Sequence, residues 1–295
     1  MSERIGFLGL GIMGSRMAAN VAAAGFPLSV WTHTKGKAER WASEHDASAC
    51  ATPAEVARAS DIVLSMVVDD RQVSDILLGP DGVLDGAQPG LLCVDSSTIS
   101  PAGTRSIGAA LAQRGVAMLD APVTGSSPRA EDGTLTIMAG GRAEDFGRAK
   151  PLLEAMGSLI VHVGELGQGE MLKLINNALG AANAAALAEA LLLARATGVD
   201  LDAFVEVTSA GSGASAQMQA KATPMREHDY TTLFKTAHLL KDVRLCLEES
   251  QTAGVPFPSA AHARNLLVAT MGRGHGDDDY AAIIEAAEGL AGWRL

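Results

Sequence analysis

Aromatic residues are scarce: Phe, Trp and Tyr together make up 4% of this 295-residue chain. Yet 47% of the residues are hydrophobic, so the core must be built from Ala, Leu, Val, Ile and Met. Cysteine is rare too. Cys50, Cys93 and Cys246 are far apart and odd in number, with no C-x-x-C pair. This argues against a disulfide framework and a cysteine zinc site, and a reducing, cytoplasmic setting is expected. The formal charge is −11 and no dense Lys/Arg tract is present. No nucleic-acid partner is expected, because phosphate binding needs concentrated positive charge. The histidines at 33, 45, 162, 228, 238, 262 and 275 show no metal-ligand spacing, so no metal is expected. The segment Gly274–Asp279 lacks the alternating ligands and closing Glu of a calcium loop and reads as a helix-capping turn. No basic segment followed by a long apolar run opens the chain, so no signal peptide is expected. The most membrane-like stretch, Leu174–Ala188, is short for a spanning helix and carries Asn176, Asn177 and Asn183. It reads as a buried helix, with no membrane partner.

What is present is an alternation of short apolar runs and helical patterns. Strands are predicted at Arg4–Leu8, Pro27–Trp31, Ile62–Val67, Leu91–Val94 and Ala117–Leu119, then at Thr134–Met138 and Leu159–Val163. Strand–helix–strand repetition implies an α/β fold with a parallel sheet covered on both faces, completed in mixed fashion by the last strands. The pattern changes near residue 164. After Gly164, Gly167 and Gly169 comes an Ala- and Leu-rich helix from Glu170 to about Thr197, roughly 40 Å long at 1.5 Å per residue. Only helices are predicted beyond it. Two domains are expected, residues 1–164 and an all-α domain over 165–295.

The first predicted strand runs into Gly9-Leu10-Gly11-Ile12-Met13-Gly14, and Ser15–Ala24 reads as a helix. A G-x-G-x-x-G between a strand and a helix is built for a dinucleotide. Gly9 permits the tight turn, Gly11 lets a pyrophosphate approach the backbone, and Gly14 lets helix and strand pack closely. The phosphates then meet the unpaired N–H groups of the helix N-terminus. About twenty residues on, an acid would grip the ribose 2′-hydroxyl of NAD. Here the segment reads Thr32-His33-Thr34-Lys35-Gly36-Lys37, with no carboxylate before Glu39. Hydroxyls and cations favour NADP over NAD, with a solvated helix start as the alternative for the lysines.

Four further segments carry groups suited to chemistry. Lys173 and Asn177 lie four apart at the start of the long helix and share a face. Desolvation brings a lysine's pKa toward the range of a general acid–base; a surface lysine at a helix start fits the spacing equally. Thr124, Gly125 and Ser126 follow a strand and offer hydroxyls and N–H groups for a carboxylate, or form an ordinary turn. Thr98, in Asp95-Ser96-Ser97-Thr98, reaches a nicotinamide or caps the next helix. Phe234, Lys241 and Asp242 lie on a later helical segment, where a solvated charge pair is the plain reading of the last two.

Taken together, these motifs resemble the β-hydroxyacid dehydrogenase family, which contains 3-hydroxyisobutyrate dehydrogenase and tartronate semialdehyde reductase. GFLGLGIMGSRMAANV resembles its cofactor signature, DAPVTGSSPRAEDGTLTIMAGG its substrate-binding segment, GQGEMLKLINN its catalytic segment and LLKD its C-terminal cofactor contact. GHGDDDYAAIIE resembles its ending. The resemblance implies a Rossmann-like domain, a long interdomain helix and an all-α C-terminal domain, assembled as a homodimer or homotetramer. It implies Lys173 as catalytic lysine with Asn177 as its partner, and Thr124, Gly125, Ser126 and Phe234 as substrate-binding residues. The residues implied to bind cofactor are Gly9, Leu10, Gly11, Ile12, Met13, Gly14, His33, Thr34, Lys35, Met66, Val67, Thr98 and Lys241. The implied activity is NAD(P)-dependent interconversion of a small β-hydroxyacid and its semialdehyde. Imine reduction on the same fold and a non-catalytic dinucleotide-binding module are the alternatives. The chain departs from the pattern at three places. Ser126 replaces a common glycine, Met66-Val67-Val68 lacks a common proline, and Thr32-His33-Thr34 stands for the Asn-Arg-Thr of many NADP-preferring members.

Overall fold

The computed structural model describes residues 3–295. They divide into two compact units, the second being Leu174–Leu295, so the division falls inside the long helix, beyond the 164/165 boundary expected from the glycines.

The first unit is built on a nine-stranded mixed sheet. Its strands are β1 Ile5–Leu8, β2 Leu28–Trp31, β3 Ser48–Ala49, β4 Ile62–Ser65, β5 Leu92–Asp95, β6 Ala117–Asp120, β7 Val123–Thr124, β8 Leu135–Gly140 and β9 Gly157–Gly164. Their order is β3-β2-β1-β4-β5-β6-β8-β7, with β9 also paired to β8. From β3 to β6 every pairing is parallel. β8 runs antiparallel to β6 and β7. β1, β4 and β5 are buried along their whole length. Such continuous apolar runs are the mark of strands covered on both faces. One face packs Phe7, Leu10, Met17 and Leu64 with Leu119 and Leu153. The other packs Leu8, Val63, Leu77, Cys93, Ile99 and Leu111.

Two strands escape the sequence pattern, β3 and β7. Each has two residues, too few to show a period. The strand predicted to reach Val67 stops at Ser65, because the Val67 N–H turns to the Ser97 hydroxyl instead of a ladder carbonyl. The first helix begins at Ile12, with Gly11 as N-cap, earlier than its helix-forming residues suggest. Capping residues set other helix starts. Ser100 accepts from the Gly103 N–H ahead of Pro101, which is already fixed for the first helical turn. Ser100, not Thr98, is therefore the N-cap of the helix Pro101–Ala112.

The second unit is helical: Leu201–Ala210, Ala216–Glu227, Thr236–Ala253, Pro258–Gly272 and Ile283–Ala291 accompany most of Gln168–Thr197. That long helix is rich in Ala and Leu, strong helix formers, and Gly198 stops it with a φ of 80°. By length and composition it qualifies to cross a membrane. However, Leu174, Ala178, Ala181, Ala185 and Leu191 are buried in the core of this unit. A buried ion pair ties the unit's end together. Lys221 Nζ donates to Asp279 Oδ1 at 2.6 Å and sits 4.3 Å from the Tyr280 ring centre. The other carboxylate oxygen accepts the N–H groups of Leu233 and Phe234. The acidic turn is thus a cap, as its sequence suggests, since Asp279 also accepts from the Ala281 N–H. Its last carboxylate, Asp279, is buried and pairs with a lysine as well.

Candidate active site

In an open α/β sheet, ligands lie outside the carboxyl ends of the strands, where the strand order reverses direction. That point here is the gap between β1 and β4, both paired to their neighbours in parallel. The loops that border it are Gly9–Gly14 after β1 and Met66–Val67 after β4. Gly9 has a φ of 102°, and a Cβ there would collide with the Met66 carbonyl oxygen. A Cβ on Gly14 would collide with the Gly9 carbonyl, whereas nothing lies within 4 Å of the Cβ position on Gly11. The loop is therefore tight at its ends and open in its middle. The helix that starts at Ile12 has no acidic residue in its first turn and no side-chain cap. Its unpaired N–H groups and positive dipole end suit phosphate. These features fit a dinucleotide. His33, Thr34 and Lys35 lie exposed just past β2, ahead of a helix beginning at Lys37. No carboxylate precedes Glu39 there.

Two neighbouring strands end in buried carboxylates, Asp95 on β5 opposite Asp120 on β6. Asp120 reaches the start of the long helix. Its Oδ1 accepts the Gly167 N–H and its Oδ2 the Glu170 N–H, each at 2.7 Å. These are orphan donors of a helix N-terminus, and a carboxylate there also complements the helix dipole. Burial pushes the Asp120 carboxyl up, while these N–H groups draw it down. Approach this close demands glycine, because a Cβ on Gly169 would collide with the Met138 carbonyl and crowd Asp120. Glu170, fully buried, accepts the Ile99 N–H at 3.3 Å and so holds the segment carrying Thr98. Lys173 follows, 8% exposed. It is not the surface lysine that spacing alone allows.

Asp95 holds a different set. Its Oδ1 accepts the hydroxyls of Ser65 and Ser97, both at 2.7 Å. Burial pushes this carboxyl up to about 6, opposed by the two serines and assisted by the charge of Asp120. Beyond β6, Thr124, Gly125 and Ser126 are half-buried. Ser126 adopts a φ of 59°, a left-handed conformation strained for a side chain other than glycine.

In the second unit Asn177 is 8% exposed, and its Nδ2 donates to Asp242 Oδ2 at 2.7 Å. Asp242 is 1% exposed, which overturns the solvated-pair reading. Lys241 Nζ lies 3.0 Å from the other oxygen, an ion pair. Phe234 is half-buried and held by its N–H to Asp279. The structure thus collects Gly9–Gly14, His33–Lys35, Met66, Val67, Thr98, Thr124–Ser126 and Lys173 in one unit. Asn177, Phe234 and Lys241 lie in the other, with Lys173 and Asn177 one turn apart on one helix. Asp95 and Asp120 were missed as organising residues. Their signal is an apolar strand that ends in aspartate, LCVD and AMLD. Among the described residues one further group has metal-ligand proximity, His228, Glu285 and Glu288. Arg294 already pairs with both glutamates.

Comparison with known proteins also finds two parts, which meet between residues 164 and 167. Residues 4–164 match the NAD-binding domain of 6-phosphogluconate dehydrogenase. Residues 167–287 match the NAD-binding domain of NADP-dependent 3-hydroxyisobutyrate dehydrogenase. The chain is 33% identical to L-threonate dehydrogenase of Cupriavidus necator, over 98% of each chain. It is 34% identical to 2-hydroxy-3-oxopropionate reductase of Escherichia coli, over 99% of each. A solved 3-hydroxyisobutyrate dehydrogenase of Mycobacterium tuberculosis superposes with a TM-score of 0.87 at 30% identity, covering 97% of this chain and 99% of that one.

The carboxyl of Asp95 gives a pH signature. It titrates at about 6 when folded, against 3.8 for an ordinary aspartate. Between those values the folded form holds more protons than the unfolded chain. The stability this group contributes is full below about pH 4 and is lost as pH rises through about 6. Urea denaturation of wild type and Asp95→Asn should show the difference shifting in the variant's favour over that window and levelling above it. A difference independent of pH contradicts this assignment.

Proposed function

Because this chain belongs to the β-hydroxyacid dehydrogenase family, we propose that it interconverts a small β-hydroxyacid and the corresponding semialdehyde. It is an NAD(P)-dependent oxidoreductase, and the finer reading concerns its substrate, its cofactor preference and the task of each residue. The observation that carries the reading is a buried lysine at the start of a helix whose first N–H groups are clamped by a carboxylate.

The residues fit a nicotinamide dinucleotide as follows. Gly9, Leu10, Gly11, Ile12, Met13 and Gly14 would hold its pyrophosphate, and Met66, Val67 and Thr98 are proposed as further contacts. Lys241 adds a cation. When bound, the cofactor supplies hydride chemistry at the substrate carbon. Lys173 Nζ gives a proton to the carbonyl oxygen during reduction and removes it from the hydroxyl during oxidation, a task for a positioned general acid–base. Asn177 keeps its amide oriented through Asp242 and presents the rest of its polar surface to the same substrate oxygen. Thr124, Gly125 and Ser126 would bind the substrate carboxylate, and Phe234 is proposed as a further substrate-binding residue. Binding the carboxylate fixes the distance of the reacting carbon from Lys173. The exposed His33 imidazole, Thr34 hydroxyl and Lys35 ammonium support a preference for NADP. The relatives named for L-threonate, 2-hydroxy-3-oxopropionate and 3-hydroxyisobutyrate support a substrate that carries one carboxylate and a nearby hydroxyl or aldehyde.

Leu172, Ile175 and Leu179 leave an exposed apolar stripe along the long helix. The stripe supports assembly as a homodimer or homotetramer, and light scattering should give a mass of two or four chains. A single-chain mass at micromolar concentration removes this part of the reading.

The substrate reading is tested by following NADPH and NADH absorbance with 3-hydroxyisobutyrate, tartronate semialdehyde, succinic semialdehyde and glyoxylate. One or more acids should turn over, faster with the phosphorylated cofactor. Lys173→Ala should lower kcat on the best substrate by about 10²-fold or more, with the melting temperature retained. Full activity in that variant sinks the role of Lys173. Turnover of a cyclic imine with none of the acids replaces the reaction class.

A further inference from the structure

The segment after β4 is held from two sides. Toward β1, the Met66 N–H donates to the Leu8 carbonyl at 2.9 Å. The same segment abuts Gly9, since a Cβ there would lie 3.1 Å from Val67 Cγ1. Toward β5, the Val67 N–H donates to Ser97 Oγ at 2.9 Å. Ser97 Oγ in turn donates to Asp95 Oδ1 at 2.7 Å, as Ser65 Oγ does from the end of β4. The Ser97 N–H completes the set at 3.2 Å. Asp95, Ser97 and Ser65 are each no more than 1% exposed. The carboxylate fixes the direction of the Ser97 hydroxyl proton, because Asp95 accepts and cannot donate when ionised. With its proton committed to Asp95, the Ser97 oxygen presents lone pairs to Val67. A hydroxyl without that anchor is free to rotate and to leave a backbone N–H unmet, which costs free energy when buried.

We infer that Asp95 and Ser97 are positioning residues for the dinucleotide. They set the Val67 backbone that walls the glycine loop, and so fix the width of the cleft beside Gly9. They do not touch the substrate, and Lys173 chemistry does not depend on them. The inference rests on the reading that the Gly9–Gly14 loop holds the cofactor.

Calorimetric titration with NADPH and with NADH measures the effect directly on the full-length protein. Ser97→Ala should raise the Kd of the preferred dinucleotide about tenfold, equal to about 1.4 kcal/mol. At saturating dinucleotide, kcat and the KM for the acid should stay within about twofold of wild type. Asp95→Ala should behave like Ser97→Ala. Asp95→Asn, which keeps a carbonyl oxygen for both hydroxyls, should bring the Kd back to within about threefold. A merely structural role would lower the melting temperature and leave the Kd unmoved at a temperature well below it. An unchanged Kd in Ser97→Ala overturns the inference, whether or not Asp95→Ala folds. So does a rise in Asp95→Asn as large as that in Ser97→Ala. Wild-type protein that binds neither dinucleotide overturns the reading of the glycine loop, and this inference falls with it. Wild-type binding with an unaffected Ser97→Ala variant overturns the inference alone.

Discussion

The Asp120 carboxylate anchors the start of the helix that carries Lys173. It stands at the carboxyl end of β6 and accepts the N–H groups of Gly167 and Glu170 at the mouth of the long helix. A helix N-terminus buried without such a partner would leave backbone donors unmet. Once those donors are held, the first turn of the helix has one height and one rotation relative to the sheet. Glu170 then reaches the Ile99 N–H, and Lys173 lies one turn further along. A charged group placed by a rigid element is a better proton carrier than one on a loop, because little reorganisation remains to be made during reaction. The close packing explains why glycine occupies 169, where any side chain would strike the neighbouring strand's backbone or Asp120 itself.

Paired carboxylates on adjacent strands are costly to bury, and the structure divides the work between them. Asp120 is met by backbone N–H groups, whereas Asp95 is met mainly by hydroxyls. Hydrogen bonds to the charged form draw a carboxyl down and desolvation drives it up. For both carboxyls desolvation wins, and Asp95 is pushed up to about 6. The two residues serve different loops. Asp120 organises the helix that carries Lys173, and Asp95 organises the wall beside the glycine loop. In the second unit Asp242 does a similar service for Asn177. Three buried aspartates thus set the groups proposed to act, without acting themselves.

Much of this was legible in the residues. The strand–loop–helix at Gly9–Gly14 declares itself because the turn, the close helix packing and the phosphate approach each require glycine. The long helix declares itself through Ala and Leu and a terminating glycine. What escaped notice was long-range. Nothing near Asp120 in the chain says that its partner lies at Gly167, because a cap supplied from another strand has no local spacing. Asp242 looked like half of a solvated pair beside Lys241 for the same reason, its partner Asn177 being remote in sequence. The strands β3 and β7 were too short to leave a period. Thr98 resembled a cap because Ser, Thr and Pro crowd that stretch, and only geometry identifies Ser100 as the residue that meets the helix.

A double-mutant cycle shows whether Asp120 acts through Lys173. kcat/KM on the best acid is measured for wild type, Asp120→Asn, Lys173→Ala and the double variant, each shown to be folded. If the clamp works by placing Lys173, Asp120→Asn costs about tenfold or more in the wild-type background and almost nothing once Lys173 is gone. Equal losses in both backgrounds would contradict that coupling and leave Asp120 a cap with no tie to the chemistry.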